Sequence, residues 1–255
     1  MAAAAPAGGP QVSIVLAILN ERPSLPELFD RLGRTALPSW EAIVVDDGST
    51  DGSREFLTEV AARDPRVRLI FHDGRQTTLT AQVVAISAAR GTSVVVMDSD
   101  LQHPPELVAP MLRELDGGAA LVVASRYAPG GTPGPRRLGR IVLSRGAEVT
   151  ARILLAPARG ISDPVSGFFG FRRSIFVPLG SELRGYKLLL FLLVMARGLE
   201  VREVPFRFEP RTGGRSKVTS GFGFIRLFLV EVLRARRLDR QLRRRGAAGS
   251  ASVRS

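Results

Sequence analysis

Residues 93–106 read Ser-Val-Val-Val-Met-Asp-Ser-Asp-Leu-Gln-His-Pro-Pro-Glu. The apolar run predicts a buried β-strand, and two carboxylates, Asp98 and Asp100, follow it one residue apart. Alternate residues of an extended chain point the same way, so both side chains are expected to reach one ion. Mg²⁺ and Mn²⁺ need only one or two carboxylates, because waters and substrate phosphates complete their shells. The pattern indicates a divalent-cation site, although a solvated strand end is the commoner origin of such a pair.

A second strand also ends in carboxylates. Residues 42–51 read Ala-Ile-Val-Val-Asp-Asp-Gly-Ser-Thr-Asp, so that Asp46 and Asp47 follow an apolar run. Two acidic strand ends favour one site at one edge of a sheet over two chance clusters. His103 precedes two prolines and is expected to cap or pack rather than to bind metal. Because His72 is the only other histidine, a histidine-rich metal site is excluded.

Short β-branched runs alternate with helical patterns along the first half of the chain. The pattern predicts strands at 12–19, 40–46, 66–71, 93–97 and 119–124, and helices at 24–35, 53–63, 79–89 and 106–115. This alternation predicts an α/β fold with a mostly parallel, twisted sheet flanked by helices. Ligands of such sheets bind at the carboxyl ends of the strands, where Asn20-Glu21, Asp46-Asp47 and Asp98-Ser99-Asp100 fall.

Length and composition favour a single compact enzyme. The chain has 255 residues with 45% hydrophobic content, which is enough to bury one substantial core. It contains no cysteine, so disulfides and thiolate metal sites are excluded. Residues 1–11 lack the basic start and apolar centre of a signal peptide and are expected to be a disordered tail. The longest apolar stretch, 188–196, is about half the length of a membrane-spanning helix.

Several short motifs follow one another in a fixed order along residues 12–235. They are Asn20-Glu21, the segments 45–51 and 98–106, Ala124-Ser125-Arg126-Tyr127, Ser144-Arg145-Gly146, the segment 163–169, Gly185-Tyr186-Lys187, Glu203-Val204-Pro205-Phe206 and the segment 211–217. In order and spacing they resemble the inverting family 2 glycosyltransferases of GT-A fold, and within them the dolichyl-phosphate mannose synthases.

The resemblance implies a donor site for GDP-mannose. It places Glu21 and Asp47 on the nucleoside with Val45 lining the pocket, and Ser99 against the nucleotide. Lys187, Arg211 and Lys217 would close on the donor diphosphate, as suits cations that bind phosphate. The full nucleotide-sugar set that it implies is Ala17, Leu19, Glu21, Val45, Asp47, Asp98, Ser99, Asp100, Arg126, Lys187, Arg211 and Lys217.

The resemblance also implies a cation site and an acceptor site. The cation, Mg²⁺ or Mn²⁺, would be held by Asp98, Asp100 and Gln102. The phosphate of a polyprenyl or dolichyl acceptor would bind Arg126, Arg140 and Ser144. Asp100 and Arg126 would be the catalytic residues. Without the resemblance, Arg126 could equally be a surface arginine, and the charges of the segment 211–217 a solvated turn.

The acceptor that the resemblance implies decides whether the mechanism needs a general base. A sugar hydroxyl must lose a proton to a general base, whereas a phosphomonoester is already anionic near neutral pH, since its second pKa is about 6. Catalysis can therefore rest on alignment, on neutralisation of charge by arginines, and on a cation that stabilises the leaving diphosphate. We expect a single displacement with inversion, which gives a β-linked lipid-phosphate sugar.

Three departures from the family pattern leave the donor open. Ala17 and Leu19 replace a proline and an aromatic residue, Phe191 replaces an acidic residue, and residues 72–81 lack a basic, glycine-rich form. A transferase that uses UDP-glucose or another nucleotide sugar is the main alternative. A catalytically inactive membrane-bound scaffold would explain the departures but would not need the cation and phosphate sets.

The second half of the chain predicts contact with an anionic membrane surface. Arginines alternate with apolar residues in an interfacial helix at about 136–156, and again in a basic amphipathic helix at 218–245. A helix packed on the core with a solvated basic tail is the alternative. The expected organisation is a tail at 1–11, a GT-A domain at 12–217, the helix at 218–245 and a disordered tail at 246–255. The expected location is cytoplasmic, peripheral on the cytoplasmic face of the membrane.

The net charge of +12 also fits polyanions in general, including nucleic acid. No helix-turn-helix, zinc-finger or RNP-type aromatic motif accompanies the charge, so no nucleic-acid partner is expected.

Overall fold

A computed structural model describes residues 9–72, 76–134, 138–178, 185–210 and 222–251, apart from the side chains of 138–140, 222, 224 and 245–251. The strands are β1 (Val12–Ile18), β2 (Trp40–Asp46), β3 (Val67–Phe71), β4 (Ser93–Met97), β5 (Leu121–Ser125), β6 (Phe169–Arg172) and β7 (Val201–Pro205). The helices are α1 (Leu25–Arg34), α2 (Ser53–Arg63), α3 (Thr78–Ala88), α4 (Val108–Asp116), α5 (Leu138–Leu154), α6 (Leu188–Met195) and α7 (Phe222–Ala251). Short 3₁₀ helices lie at Pro105–Leu107, Ala156–Ala158 and Arg173–Ile175.

The seven strands form one sheet in the order β3-β2-β1-β4-β6-β5-β7. All neighbouring pairs are parallel except those of β6, which runs antiparallel to β4 and β5. The predicted mostly parallel α/β architecture is thereby confirmed. β6 and β7 were not predicted, because β6 is four residues long with Gly170 inside it, and β7 carries Arg202 and Glu203.

Helices cover both faces of the sheet because side chains alternate along its strands. In β1, Val15 packs into the core on the side of α3 and α6, while Ile14 and Leu16 pack into the core on the side of α1 and α4. α6 is apolar along its whole length and buried, as befits a helix inside the first of these cores.

The strand order places one edge of the sheet at the ligand-binding position of α/β proteins. Starting from β1, the chain moves outward to β2 and β3 and then returns to β4 on the other side of β1. The carboxyl ends of β1, β2, β4, β5 and β7 share an edge, and β6 begins at that edge because it is antiparallel. Such a reversal of strand order opens a crevice outside the carboxyl ends.

The boundaries of two predicted segments differ from the structure. Gln11, assigned to the disordered tail, donates its backbone N–H to the Ser39 carbonyl and accepts from the Ser93 N–H. At the other end, α7 continues to Ala251, past the predicted limit at 245. α7 buries Phe228, Val232 and Ala235 in the core beside α6, so it is part of the domain. No helix in the described part of the chain is long and apolar enough to cross a membrane.

Candidate active site

The loops after β1 and β2 are joined by hydrogen bonds between their backbones and side chains. Asn20 accepts the Thr50 N–H through its side-chain oxygen at 2.8 Å and donates its own N–H to Ser49 Oγ at 2.9 Å. Glu21 donates its N–H to Ser53 Oγ at 3.1 Å, and its side chain is buried at this edge. The motifs Asn20-Glu21 and 45–51 therefore form one wall of the crevice, as their positions at strand ends predicted.

The two carboxylates at the end of β2, Asp46 and Asp47, have different surroundings. Asp46 is buried, accepts the Ser49 N–H and pairs with Arg54 Nε at 3.0 Å, so it holds the loop together. Asp47 lies at the edge beside His72, whose Nδ1 is 2.9 Å from Asp47 Oδ1. Of the two, Asp47 is the one placed to meet a ligand.

The three apolar residues predicted to line the donor pocket differ in burial, because Val45 is buried whereas Ala17 and Leu19 are partly exposed. Val45 is fully buried in the core, and Ala17 is its partner in the pairing of β1 with β2. Leu19 is half-buried just beyond the end of β1. In this structure Val45 contributes packing, and Leu19 is the member of this group that lies at the edge.

Asp98 and Asp100, in the turn after β4, differ in their exposure. The Asp98 side chain is 49% exposed, whereas Asp100 and Ser99 are buried. Asp100 Oδ1 accepts the Gln102 N–H at 3.1 Å. Leu101 between them has φ 63°, a left-handed conformation that costs a non-glycine residue about 1–3 kcal/mol and is concentrated at functional sites. In the described residues the only other non-glycine residue with positive φ is Asn20, at the same edge.

His103 packs inside the site, as the sequence predicted. It is 2% exposed, stacks on Phe168 with ring centroids 5.0 Å apart, and meets Phe206 and Phe208 edge-on. Its Nδ1 accepts the Asp98 N–H at 2.9 Å. Burial lowers the pKa of His103 to about 4, so the ring is neutral at neutral pH and carries its proton on Nε2. His103 therefore fixes the backbone of Asp98.

Gln102 connects the turn after β4 with the chain that follows β7. Its side-chain amide donates to the Glu209 carbonyl at 3.3 Å, and its own carbonyl accepts the Glu209 N–H at 3.3 Å. An amide nitrogen has no lone pair available for a cation, so the side-chain oxygen of Gln102 is the atom suited to one.

Arg126 makes a buried ion pair that the sequence did not predict. Its Nε and one terminal nitrogen donate to the two oxygens of Asp163 at 2.6 and 2.7 Å, and its backbone N–H donates to Asp163 at 3.2 Å. Asp163 is fully buried and Arg126 nearly so. Burial opposes the charge of Arg126, but the bonds to Asp163 and the charge of that carboxylate outweigh it and raise the pKa of the guanidinium. Asp163 thus occupies two of the Arg126 nitrogens that could bind a phosphate. The other terminal nitrogen does not contact Asp163.

The segment that carries Asp163 is fixed against β7. Glu203 on β7 accepts the backbone N–H of Ser162 and Asp163 and the Ser162 hydroxyl, the last at 2.7 Å. Farther along this segment Gly167 lies close to the turn after β4. A Cβ at Gly167 would be 3.3 Å from the His103 ring and 3.5 Å from Asp98 Oδ2, so glycine leaves the Asp98 carboxylate uncovered.

Lys187 supplies a cation at the same edge. Its Nζ donates to the Val165 carbonyl at 2.8 Å. Burial and the charge of Arg126 lower the pKa of Lys187, while Glu231, Asp163 and Asp98 raise it in part. The ammonium thus lies against the segment that Arg126 binds through Asp163 and whose Gly167 adjoins Asp98.

Ser144 of α5 joins this group through Tyr127. The Tyr127 and Ser144 hydroxyls are 3.5 Å apart, and the Arg126 guanidinium is 5.3 Å from the Tyr127 ring centre. Ser144 donates to Glu148, a fully buried carboxylate that also pairs with Arg145 at 3.1 Å. Burial, followed by the nearby charge of Asp163, raises the pKa of Glu148. Tyr127 thus links Arg126 and Ser144, and their role as an acceptor site stays a prediction.

Three predicted site residues are not covered. Arg211 and Lys217 lie outside the described residues, as does the side chain of Arg140. Their roles remain predictions.

The carboxylate oxygens at the end of β4 suit a cation that keeps waters or substrate phosphates among its ligands. No group of three or more histidine, aspartate or glutamate side chains within the described ranges is arranged to hold a metal ion by itself. Asp98 offers an accessible carboxylate and Asp100 a second nearby, which fits Mg²⁺ or Mn²⁺ bound through two carboxylates plus substrate phosphate. It does not fit a metal held by protein alone.

Sequence reasoning missed the buried carboxylates that hold these residues in place. Asp163, Glu203 and Glu148 each lie within a matched motif or a predicted helix, but no role was assigned to them. The available signal was an acidic residue in an otherwise apolar surrounding, since buried carboxylates are rare unless paired.

Residues 13–180 match the family model described as Glycosyl transferase family 2. Among curated proteins, a dolichol-phosphate mannosyltransferase of Pyrococcus furiosus is 35% identical over 82% of this chain and 59% of its own length. A polyprenol monophosphomannose synthase of Mycolicibacterium smegmatis is 35% identical over 81% of this chain and 80% of its own. A dolichol-phosphate mannosyltransferase of Saccharomyces cerevisiae is 36% identical over 79% and 77%. The chain thus spans about three fifths of the Pyrococcus protein.

Solved structures show the same fold. Glucosyl-3-phosphoglycerate synthase from Mycobacterium tuberculosis, crystallised with Mn²⁺, UDP-glucose and phosphoglyceric acid, superposes with a TM-score of 0.64. The match covers 89% of this chain and 80% of that one at 23% identity. At this identity the likeness concerns the fold.

Proposed function

This chain belongs to glycosyl transferase family 2, and from that premise we propose that it transfers mannose from GDP-mannose to a polyprenyl or dolichyl monophosphate with inversion. The names of the curated relatives support the sugar and the class of acceptor. The arrangement that carries the proposal lies at one edge of the sheet, where Lys187 and Arg126 both bind the segment 163–165. Gly167, which follows this segment, adjoins Asp98. Carboxylates for a cation beside cations for phosphate suit a nucleoside diphosphate leaving group.

The residues of the crevice have distinct roles in this reaction. Glu21 and Asp47 face the nucleoside, and the Lys187 ammonium neutralises charge that develops on the departing diphosphate. The other terminal nitrogen of Arg126, which does not contact Asp163, and the Ser144 hydroxyl hold the acceptor phosphate behind the anomeric carbon. Because the acceptor oxygen is already anionic, no side chain needs to remove a proton from it.

A divalent cation, Mg²⁺ or Mn²⁺, would be held by Asp98, Asp100 and the side-chain oxygen of Gln102. When bound, it supplies Lewis-acid stabilisation of the leaving diphosphate. Gln102 would also link the cation site to the segment that contains Arg211 and Lys217, because it pairs with Glu209 just before them.

The proposed function can be tested with a matrix of donors and acceptors in detergent. GDP-mannose, UDP-glucose and other nucleotide sugars are each offered with a polyprenyl phosphate and with the same polyprenol bearing a free hydroxyl. We expect transfer of mannose to the phosphate only, with a β-linkage in the product by NMR. Efficient transfer to the alcohol would contradict the proposed acceptor chemistry, and preference for another donor would correct the sugar.

The proposed acceptor is a lipid, and an apolar surface faces outward beside the acceptor residues. α5 exposes Val142, Val149 and Ile153, and the adjacent α7 exposes one residue per turn; we name these residues together the apolar face. Its members on α7 are Ile225, Leu229 and Leu233. The exposed side chains of each helix fall on one stripe, which suits a helix lying in a membrane interface.

Arginines border the apolar face at the carboxyl end of α5. A cavity of about 220 Å³ is lined by Ile153 and Leu154, together with Arg159, Arg236, Asp239, Arg240 and Arg243. Asp239 is buried and already pairs with Arg197 at 2.6 Å and with Arg243 at 3.2 Å. The surplus of arginines suits anionic lipid head groups, so we propose that the chain binds the membrane surface peripherally through this side.

Neutralising two of these arginines should weaken membrane binding. We expect the double variant Arg236→Gln/Arg240→Gln to lose about 1 kcal/mol of binding to anionic vesicles for each arginine, or roughly thirtyfold for the pair. Sedimentation with vesicles at low salt measures this. The control Arg34→Gln/Arg63→Gln changes net charge equally on α1 and α2, on the opposite side of the sheet. Equal losses in the two double variants would show only a general effect of charge.

A further inference from the structure

Glu231 of α7 binds the backbone at the start of α6. Its side chain is 1% exposed, and its Oε1 accepts the N–H of Tyr186 and, at 2.9 Å, that of Lys187. α6 begins at Leu188, and the first amides of a helix have no partner within the helix. The carboxylate therefore caps α6 from a different helix, although burial raises the pKa of Glu231.

The segment that receives this carboxylate is held from a second side. Gly185 donates its N–H to Thr77 Oγ1 at 3.3 Å, and its carbonyl accepts the Leu79 N–H at 3.1 Å. A Cβ at Gly185 would overlap the Glu231 carboxylate, so the close approach requires glycine. Residues 185–187 are thus clamped between the start of α3 and the middle of α7.

The clamp determines where the Lys187 ammonium lies. With the backbone of Lys187 fixed by Glu231, its side chain reaches the Val165 carbonyl at 2.8 Å, in the segment that Arg126 binds through Asp163. Lys187 and Lys217 are the only lysines among 36 basic residues. A lysine acts on phosphate as a point charge on a flexible stem, so its effect depends on how its base is anchored.

We propose that Glu231 is a positioning residue of the donor-phosphate site, acting through Lys187. α7 then has two roles. One side of the helix presents the apolar face to lipid, and the other side, through Glu231, positions the Lys187 ammonium for the diphosphate. The proposal deepens the proposed function and rests on it for the identity of the ligand. The contact between Glu231 and the Lys187 segment can be tested without that identity.

The first experiment measures the exposure of Lys187 in the absence of any ligand. Acylation of lysines is followed by mass spectrometry, with Lys217 as internal reference. We expect Glu231→Ala to raise the rate at Lys187 relative to Lys217 by about tenfold, because the segment opens locally. Glu231→Gln keeps an acceptor oxygen and should restore the parent rate. Val232→Ala, the next buried position of α7, controls for loss of packing and should leave the ratio unchanged.

Gly185→Ala disturbs the contact between Glu231 and residues 185–187 without changing Glu231 itself. Its added methyl would push the Glu231 carboxylate away, so it should raise the Lys187 rate in the same direction as Glu231→Ala. The variant keeps the test decisive if Glu231→Ala folds poorly. Rates equal to the parent in a folded Glu231→Ala or Gly185→Ala protein would overturn the proposal.

The second experiment is a double-mutant cycle on GDP binding with Mg²⁺ by calorimetry. We expect Glu231→Ala to weaken GDP binding by about tenfold or more, since misplacement of a charged group by about 1 Å has effects of that order. In a Lys187→Met background Glu231→Ala should add nothing further. Additive losses would overturn the proposal. If the parent chain binds no GDP while the acylation result holds, the proposed function fails and the coupling of Glu231 to Lys187 stands.

Discussion

Asp98→Asn and Asp100→Asn are each expected to lower transfer to polyprenyl phosphate by about 10³-fold, or about 4 kcal/mol of transition-state stabilisation. Each variant removes one negative charge from the proposed cation site. The fold should survive, because the Asp98 side chain is half-exposed and an asparagine at 100 can still accept the Gln102 N–H. Product formation at saturating Mg²⁺ or Mn²⁺, with the melting temperature measured alongside, checks both expectations.

Asp30→Asn serves as the control for this pair. Its carboxylate lies on α1, is about half-exposed and pairs with Arg34 at 2.9 Å. It should therefore keep the parent rate. Turnover of the Asp98 or Asp100 variant within about tenfold of the parent would argue against a metal role for that carboxylate.

Arg126→Ala is expected to destabilise the protein by about 3–5 kcal/mol. The change leaves the Asp163 carboxylate fully buried without its guanidinium, and breaking a buried ion pair from one side has a cost of this size. Chemical denaturation of the parent and variant gives the free energy of unfolding. Because of this cost, lost activity in Arg126→Ala would not by itself identify a phosphate ligand.

Two further variants test whether the lost stability comes from the buried ion pair or from the removal of an arginine side chain as such. Arg126→Ala combined with Asp163→Asn should lose less stability than the sum of the single changes, since the stranded charge is gone. Arg34→Ala breaks an exposed ion pair, with Asp30 at 2.9 Å, and should cost no more than about 1 kcal/mol. A loss below about 1 kcal/mol in Arg126→Ala would contradict the buried pair.

The ion pair between Arg126 and Asp163 also positions other parts of the site. Arg126 holds the segment that contains Val165 and Gly167, and this segment receives the Lys187 ammonium and leaves room beside Asp98. We therefore expect Arg126→Lys to preserve part of the stability but to lose the paired geometry, because lysine lacks the planar fork. Its transfer rate should lie between those of the parent and the alanine variant.

The α/β architecture, the five strands of the first half of the chain and the acidic residues at their ends were predictable from the sequence alone. These features are local, since strand and helix periodicity and the ends of apolar runs depend on neighbouring residues. Parallel topology then brings strand ends to one edge, so Glu21, Asp47 and the Asp98–Asp100 pair could be assigned to one crevice from the sequence. His103 could be assigned to capping or packing because two prolines follow it.

Which groups meet depends on the tertiary structure. Arg126 pairs with Asp163 at a separation of 37 residues, and the Lys187 backbone N–H binds the Glu231 carboxylate at a separation of 44. With 36 basic and 24 acidic residues in the chain, no spacing rule selects these partners, since the choice depends on how α5, α6 and α7 pack on the sheet. The same packing buried Val45 and inserted β6 antiparallel between β4 and β5. Only when buried does a carboxylate need a specific partner, and burial is a property of the whole fold.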